Sequence, residues 1–159
     1  MASEKPHSRV LRKNRISEPG RAYLITTSSW NREAIFLNIG LGRLVADEIE
    51  VSDKVGRTIT YAYVVMPDHL HWLFKLGSKQ SLSSVVRRVK GKSSFLVNRA
   101  RDSPDAVWQP GFHDRAVREE ESLEVLGNYV VHNPVRAGLV EKIDDYHLWD
   151  LLWQRRNRG

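Results

Sequence analysis

The segment Tyr63-Val64-Val65-Met66-Pro67-Asp68-His69-Leu70-His71-Trp72-Leu73-Phe74 sets two imidazoles two residues apart inside an apolar run. Such a run reads as a buried β-strand. A strand repeats every two residues, so His69 and His71 share one face while Leu70 and Trp72 share the other. Two neutral imidazoles on one rigid face make a pair of metal ligands, and a divalent ion between them keeps open positions for water or phosphate. A pair of partly buried histidines with hydrogen-bond partners satisfies the same pattern, but the paired spacing favours ligands.

A second chemical segment is Asn128-Tyr129-Val130-Val131-His132-Asn133-Pro134. Leu123, Leu126 and Val130 give it a buried helical stripe, and Tyr129 and Asn133, four apart, share a neighbouring face. On position alone Tyr129 is either an ordinary half-buried helix tyrosine or a phenol placed to attack phosphorus. In the second case a metal would neutralise the non-bridging oxygens and help the phenol lose its proton. Asn133 could then supply a third oxygen ligand, and His132 could turn toward the same site.

The elements that must position these groups follow from periodicity. Residues 22–30 are β-branched and aromatic, a first strand. From Asn38 the set Leu41, Leu44, Val45, Ile49 has helical spacing, with Gly56 after its end. Thr58 to Met66 is a second strand, Pro67-Asp68 a tight turn and His69 to Leu76 a third strand. Ser81 caps a helix with Leu82, Val85, Val86, Val89, Leu96 and Val97 as its buried stripe. Residues 108–117 predict a fourth strand. Glu119, Glu120 and Glu121 suit the first turn of a third long helix, which Pro134 ends. The order predicts an α+β, ferredoxin-like βαββαβ fold, an antiparallel sheet with helices on one face plus a C-terminal catalytic helix and tail. The third strand is expected at the centre. Asp68 is expected in an Asx-type turn, and Tyr61 and Tyr63 in sheet packing. His113 and Arg115 share a face of the fourth strand, in structural or DNA-backbone roles.

At 159 residues with 41% apolar composition the chain can bury one core. It has no Cys, which excludes disulfides, thiolate metal sites and cysteine nucleophiles. No signal peptide or membrane span is evident, so a cytoplasmic protein is expected, nucleoid-associated if it binds DNA. The formal net charge is +6, and the excess is clustered. Arg9, Arg12, Lys13 and Arg15 lie in a polar segment, residues 1–20, expected to be a flexible basic arm. Arg87, Arg88, Lys90 and Lys92 form a second cluster. With Arg115 these are candidate contacts to a nucleic-acid backbone. A solvated surface accounts for the charge as well. Gly91-Lys92-Ser93 lacks the upstream glycine and the preceding strand of a phosphate-binding loop.

Four blocks in order resemble the REP-associated tyrosine transposases, IS200-like members of the HUH (His-hydrophobic-His) single-strand endonucleases. They are Pro19-Gly20-Arg21-Ala22-Tyr23-Leu24-Ile25-Thr26 with Arg32 and Phe36; Val64 through His71; Trp108-Gln109-Pro110-Gly111-Phe112-His113-Asp114-Arg115 with Arg118; and Tyr129 through Val140. The resemblance implies a catalytic domain over 21–140 and a C-terminal extension over 141–159. It implies that Tyr129 attacks single-stranded DNA to give a 5′-phosphotyrosine and a free 3′-OH. Mg²⁺ or Mn²⁺ would sit at His69 and His71, with Asn133 at the position of a third, polar ligand. The implied partner is single-stranded DNA carrying a REP-like palindromic hairpin with a flanking tetranucleotide, bound by a monomer or dimer. A domain that binds such hairpins without cutting them is the alternative. An RNA-binding sheet would want exposed paired aromatics, and the aromatics here alternate as core residues do.

Overall fold

Local signals set the ends of the elements in a computed structural model that describes residues 17–158. Strand β1 is Ala22–Ser28, followed by two 3-10 turns, Trp30–Arg32 and Ile35–Leu37. Helix α1 (Ile39–Lys54) begins where the Asn38 side chain accepts from the Leu41 N–H, and Gly56, at φ +82°, turns the chain after it. Strands β2 (Thr58–Met66) and β3 (His69–Leu76) form a hairpin across Pro67-Asp68. Ser81 caps α2 (Leu82–Arg101) through the Ser84 N–H. Strand β4 (His113–Ala116), helices α3 (Leu123–Val131) and α4 (Asn133–Arg136), strand β5 (Trp149–Leu151) and helix α5 (Leu152–Arg158) complete the chain. No helix among the described residues is long and apolar enough to cross a membrane.

The sheet order is β4-β1-β3-β2-β5, every pairing antiparallel. The predicted ferredoxin-like order is present, with β3 at its centre and β4 beside β1. Leu70, Trp72 and Phe74 point into one core, against Val45 and Ile49 of α1 and Val85, Val86 and Val89 of α2. The opposite face carries Ala62, Val64, Met66 and Leu73, packed on Val130 and Val131 of α3 and on Leu151. His69 and His71 belong to this second face by alternation. A buried polar relay ties the first layer together. The Trp72 indole donates to Thr60 Oγ1 at 2.9 Å, and Thr60 donates to the Asp53 carboxylate of α1 at 2.9 Å.

Four local expectations change. Strand β4 is short, because Gly111 lies at φ +78° and Trp108 makes only an isolated bridge to Ser29. Helix α3 starts at Leu123, not at the acidic run, because Ser122 supplies the cap for the Val125 N–H. Glu119, Glu120 and Glu121 precede it. Pro134 does not end α3, which stops at His132; it opens α4, where a missing N–H costs nothing. Finally, a β-bulge between Thr60 and Ala62 breaks the alternation of Tyr61 and Tyr63. Tyr63 enters the first core, while Tyr61 stacks on Trp153 beside the second at 5.9 Å. Strand β5, which sequence periodicity did not indicate, covers the outer edge of β2.

Helix α3 approaches the C-terminal segment closely. A Cβ added at Gly127 would lie 2.9 Å from Leu151 Cδ1 and 3.3 Å from the Trp153 ring, whereas one at Gly91 meets nothing within 4 Å. Gly127→Val is therefore expected to cost about 1–3 kcal/mol through overpacking. Gly91→Ala, in the middle of a helix, should gain about 0.5–1 kcal/mol. Urea unfolding at constant m-value reads both signs. A stable Gly127→Val would show that α3 is not seated as described.

Candidate active site around the histidine pair

On the second face the two imidazoles meet edge to face, ring centroids 4.7 Å apart. Each has its Nδ1 occupied. His69 Nδ1 lies 2.7 Å from Asp68 Oδ1, and His71 Nδ1 lies 3.0 Å from Thr26 Oγ1 on the neighbouring strand. A carboxylate on Nδ1 holds the proton there and leaves the Nε2 lone pair of His69 for a ligand, the arrangement that metal-binding histidines use. Burial, with the neighbouring His69 and the charges of Arg136 and Arg32, pushes His71 down to about 4, so its imidazole is neutral at pH 7.

Asp68 sits in the hairpin turn, but its side chain bonds His69 and Arg32 rather than closing an Asx turn. Its second oxygen accepts from Arg32 Nε at 2.9 Å, giving a chain Arg32–Asp68–His69. Burial alone would raise the Asp68 carboxyl, but hydrogen bonds from His69 and Arg32, and their charges, hold it below its usual value. Arg32 and Asn31 both sit at φ 55°, a left-handed pair that strains Arg32 more than Asn31. Backbone bonds hold this turn in place. Ser29 N donates to Asp68 O at 2.9 Å and Phe36 N to Pro67 O at 3.0 Å, clamping the hairpin turn of β2 and β3 to the segment after β1.

Tyr129 stands 61% exposed on α3, just before the anchored Val130 and Val131, more open than a half-buried helix tyrosine. The Arg136 guanidinium lies over its ring, 3.7 Å from the centroid. The same Arg136 charge acts on His71. One arginine thus lies on the phenol ring and contributes to the field at His71. Asn133 Nδ2 donates to the Val130 carbonyl at 2.7 Å, which leaves its Oδ1 as an oxygen donor. His132 engages the Asn128 carbonyl through Nδ1 at 2.7 Å. Among the described residues no group of three or more His, Cys, Asp or Glu could hold a metal. Two imidazoles with a neutral oxygen would fit a hard divalent ion that keeps part of its water shell.

The basic candidates disperse. Lys90 Nζ donates to the carbonyls of Gln109, at 2.8 Å, and Gly111, tethering the loop before β4. Arg115 grips Glu121 with two bonds of 2.8 and 3.0 Å. Those bonds and the Arg118 N–H hold the Glu121 carboxyl down to about 2. Arg87, Arg88 and Lys92 line a groove of about 610 Å³ with residues of α1, on the sheet side away from the histidines. Arg9, Arg12, Lys13 and Arg15 lie outside the described residues. Sequence reasoning assigned no part in the chemistry to Thr26, Arg32, Asp68 or Arg136. Asp68 beside the first histidine and Arg136 two turns beyond Tyr129 were the available signals.

Tyr146, another phenol packed against this face, is engaged by the backbone rather than free. Its hydroxyl donates to the Val65 carbonyl at 2.6 Å, and burial pushes it up to about 12. A phenol with a raised folded-state pKa stabilises the fold fully below its unfolded value near 10, and that contribution is lost as pH rises toward 12. Tyr146→Phe should lower stability at pH 7 by about 1 kcal/mol. It should also flatten the fall in melting temperature between about pH 10 and 12. Parallel alkaline curves for the two proteins would refute the assignment.

Residues 23–133 match the family described as "Transposase IS200 like". A REP-associated tyrosine transposase of Escherichia coli is 28% identical over 86 residues, 54% of this chain and 49% of that protein. A candidate REP-associated tyrosine transposase of Haemophilus influenzae is 28% identical over 97 residues, 55% of each chain. The chain thus spans about half the length of these two relatives. A solved REP-associated tyrosine transposase bound to a REP hairpin superposes with a TM-score of 0.72 at 22% identity, covering 92% of this chain and 85% of that one. That likeness extends the shared fold beyond the matched segment. With the family match covering well over half of its length, this chain belongs to the IS200-like transposases.

Proposed function

We propose that the chain is a metal-dependent single-strand DNA endonuclease and strand transferase that acts on hairpin-bearing DNA through Tyr129. The observation that carries this is the exposed Tyr129 phenol under Arg136, on a helix packed against the sheet face that presents two imidazoles whose Nδ1 atoms are both engaged. The Tyr129 oxygen forms a bond to phosphorus, the P–O3′ bond breaks, and the phenol's proton is balanced by the one taken up by the departing 3′-oxygen. His69 and His71 would hold Mg²⁺ or Mn²⁺, with Asn133 Oδ1 as an added oxygen donor. When bound, the ion supplies positive charge to the non-bridging phosphate oxygens.

The chain's own residues do the remaining work. Asp68 and Thr26 fix the imidazole rings, and Val130 and Val131 fix the helix from which Tyr129 projects. The REP hairpin in the solved relative suggests the substrate class here, a palindromic hairpin beside a single strand. Arg9, Arg12, Lys13 and Arg15 add phosphate-seeking charge before β1. Arg87, Arg88 and Lys92 lie on the far side of the sheet from the histidines, so any contact they make is to the hairpin rather than to the cleaved strand.

Incubation with a single-stranded hairpin library and Mn²⁺, read on denaturing gels, tests the proposal. Covalent protein–DNA adducts are expected from the wild type and none from Tyr129→Phe, whose hairpin affinity should stay within about twofold because only the hydroxyl is removed. Adducts from Tyr129→Phe would overturn the nucleophile. Hairpin binding with no wild-type adduct would favour a non-cleaving binder.

Asp68→Asn separates positioning from packing. Loss of the carboxylate should weaken Mn²⁺ binding by about 10–100-fold, and His71→Ala by more, with the fold retained. Free Mn²⁺ measured by electron paramagnetic resonance reads this without any cleavage. Wild-type Mn²⁺ affinity in His71→Ala would remove the histidines from the metal site.

A further inference from the structure

Arg136 has no structural partner that accounts for its position. Its guanidinium forms no ion pair or hydrogen bond among the described residues; its contact is the face of Tyr129. Five N–H donors are therefore left for an outside acceptor. The placement is not a by-product of helix geometry. Along an unbroken helix, residues seven apart are separated by about 10 Å of rise. Here α3 stops at His132, at φ −85° and ψ 7°, and the chain restarts at Asn133-Pro134, which brings Arg136 back over the ring.

The surroundings say what the acceptor is. Arg136 lies over the phenol ring, and Arg32 is bound to the Asp68 carboxylate that holds His69. The acid in this cluster, Asp68, is already shared between Arg32 and His69. Positive charge beside the phenol is thus left unneutralised, and the group that complements it is an anion with oxygens in one plane. A phosphodiester has two such non-bridging oxygens, and a guanidinium binds them in a bidentate fork.

We propose that Arg136 is a catalytic residue, a clamp for the phosphodiester that Tyr129 attacks. In the free protein it lies on the Tyr129 ring and holds that exposed side chain in place. With DNA bound, its N–H groups take the non-bridging oxygens and align phosphorus with the phenol oxygen. This deepens the reading of Tyr129 as nucleophile and rests on it.

Two measurements decide the matter. The first needs no cleavage: the Arg136 Nε–H resonance, assigned with Arg136→Met, is followed while a thymidine trinucleotide is added. It should shift with the charged trinucleotide, in wild type and in Tyr129→Phe, and stay in place with the neutral methylphosphonate analogue. Shifts at other arginines but not Arg136, or equal shifts with the neutral analogue, would overturn the clamp. The second uses the hairpin that forms adducts with the wild type. Arg136→Met should slow adduct formation by about 10²–10³-fold, as loss of one transition-state donor does. Its hairpin affinity should change by less than threefold. Arg136→Lys should recover only part of the rate, because an ammonium lacks the planar fork, and added guanidinium ion should rescue Arg136→Met. A wild-type rate in Arg136→Met beside an inactive Tyr129→Phe would overturn this inference alone. Adducts from Tyr129→Phe would overturn the nucleophile and leave the resonance result to judge the phosphate contact.

Discussion

The site depends on β3 being paired along both edges. Its backbone is bonded to β1 on one side and β2 on the other, with Thr26 and Val64 flanking His71, and Ser28 and Met66 flanking His69. A slip of one residue would exchange its faces. It would turn Leu70, Trp72 and Phe74, all at most 1% exposed, out of the first core and drive both imidazoles into it. Each such apolar side chain contributes about 1.5–3 kcal/mol on burial, and the indole also needs its Thr60 acceptor. The histidines are therefore placed by the residues that face away from them.

Tyr129 is positioned differently, by a short helix lying on that sheet. Gly127 lets α3 sit against Leu151 and Trp153, and Val130 and Val131 fill the second core. The phenol leaves the helix on the remaining side. Near the site, strain sits at Asn31 and Arg32, where left-handed backbone costs on the order of 1–3 kcal/mol for a residue such as arginine. The ion pair to Asp68 and the backbone bonds of Ser29 and Phe36 hold that turn against its strain.

What was legible in the sequence was what nearest neighbours decide. Alternation gave β3 and the shared face of the histidines, and Asn38 and Ser81 marked two helix starts that the structure confirms. What was not legible depends on partners distant along the chain. Glu119 to Glu121 suit a helix start by charge, but Ser122 has the better cap, and Glu121 is drawn instead to Arg115. Strand β5 is three residues long and exists because β2 offers it an edge. Asp68 reads locally as a turn residue, and only the fold brings Arg32, thirty-six positions earlier, against it. Lys90 looked like surface charge until the loop before β4 supplied two carbonyls.

On the proposed reading, the cations around the pair serve two demands at once. A metal-ligating imidazole must be neutral, and a site for phosphate must be positive. Usually these conflict, because a carboxylate that steadies an imidazole also raises its affinity for a proton and repels phosphate. Here the one carboxylate is placed behind His69 and covered by Arg32, so its charge is spent away from the open side. Burial and the charges of Arg32 and Arg136 act in the same direction on His71, keeping its lone pair available. An acid in place of Arg136 would reverse both effects, by favouring the imidazolium and by repelling the diester. Positive charge that would draw in a strand thus acts with burial to keep His71 unprotonated.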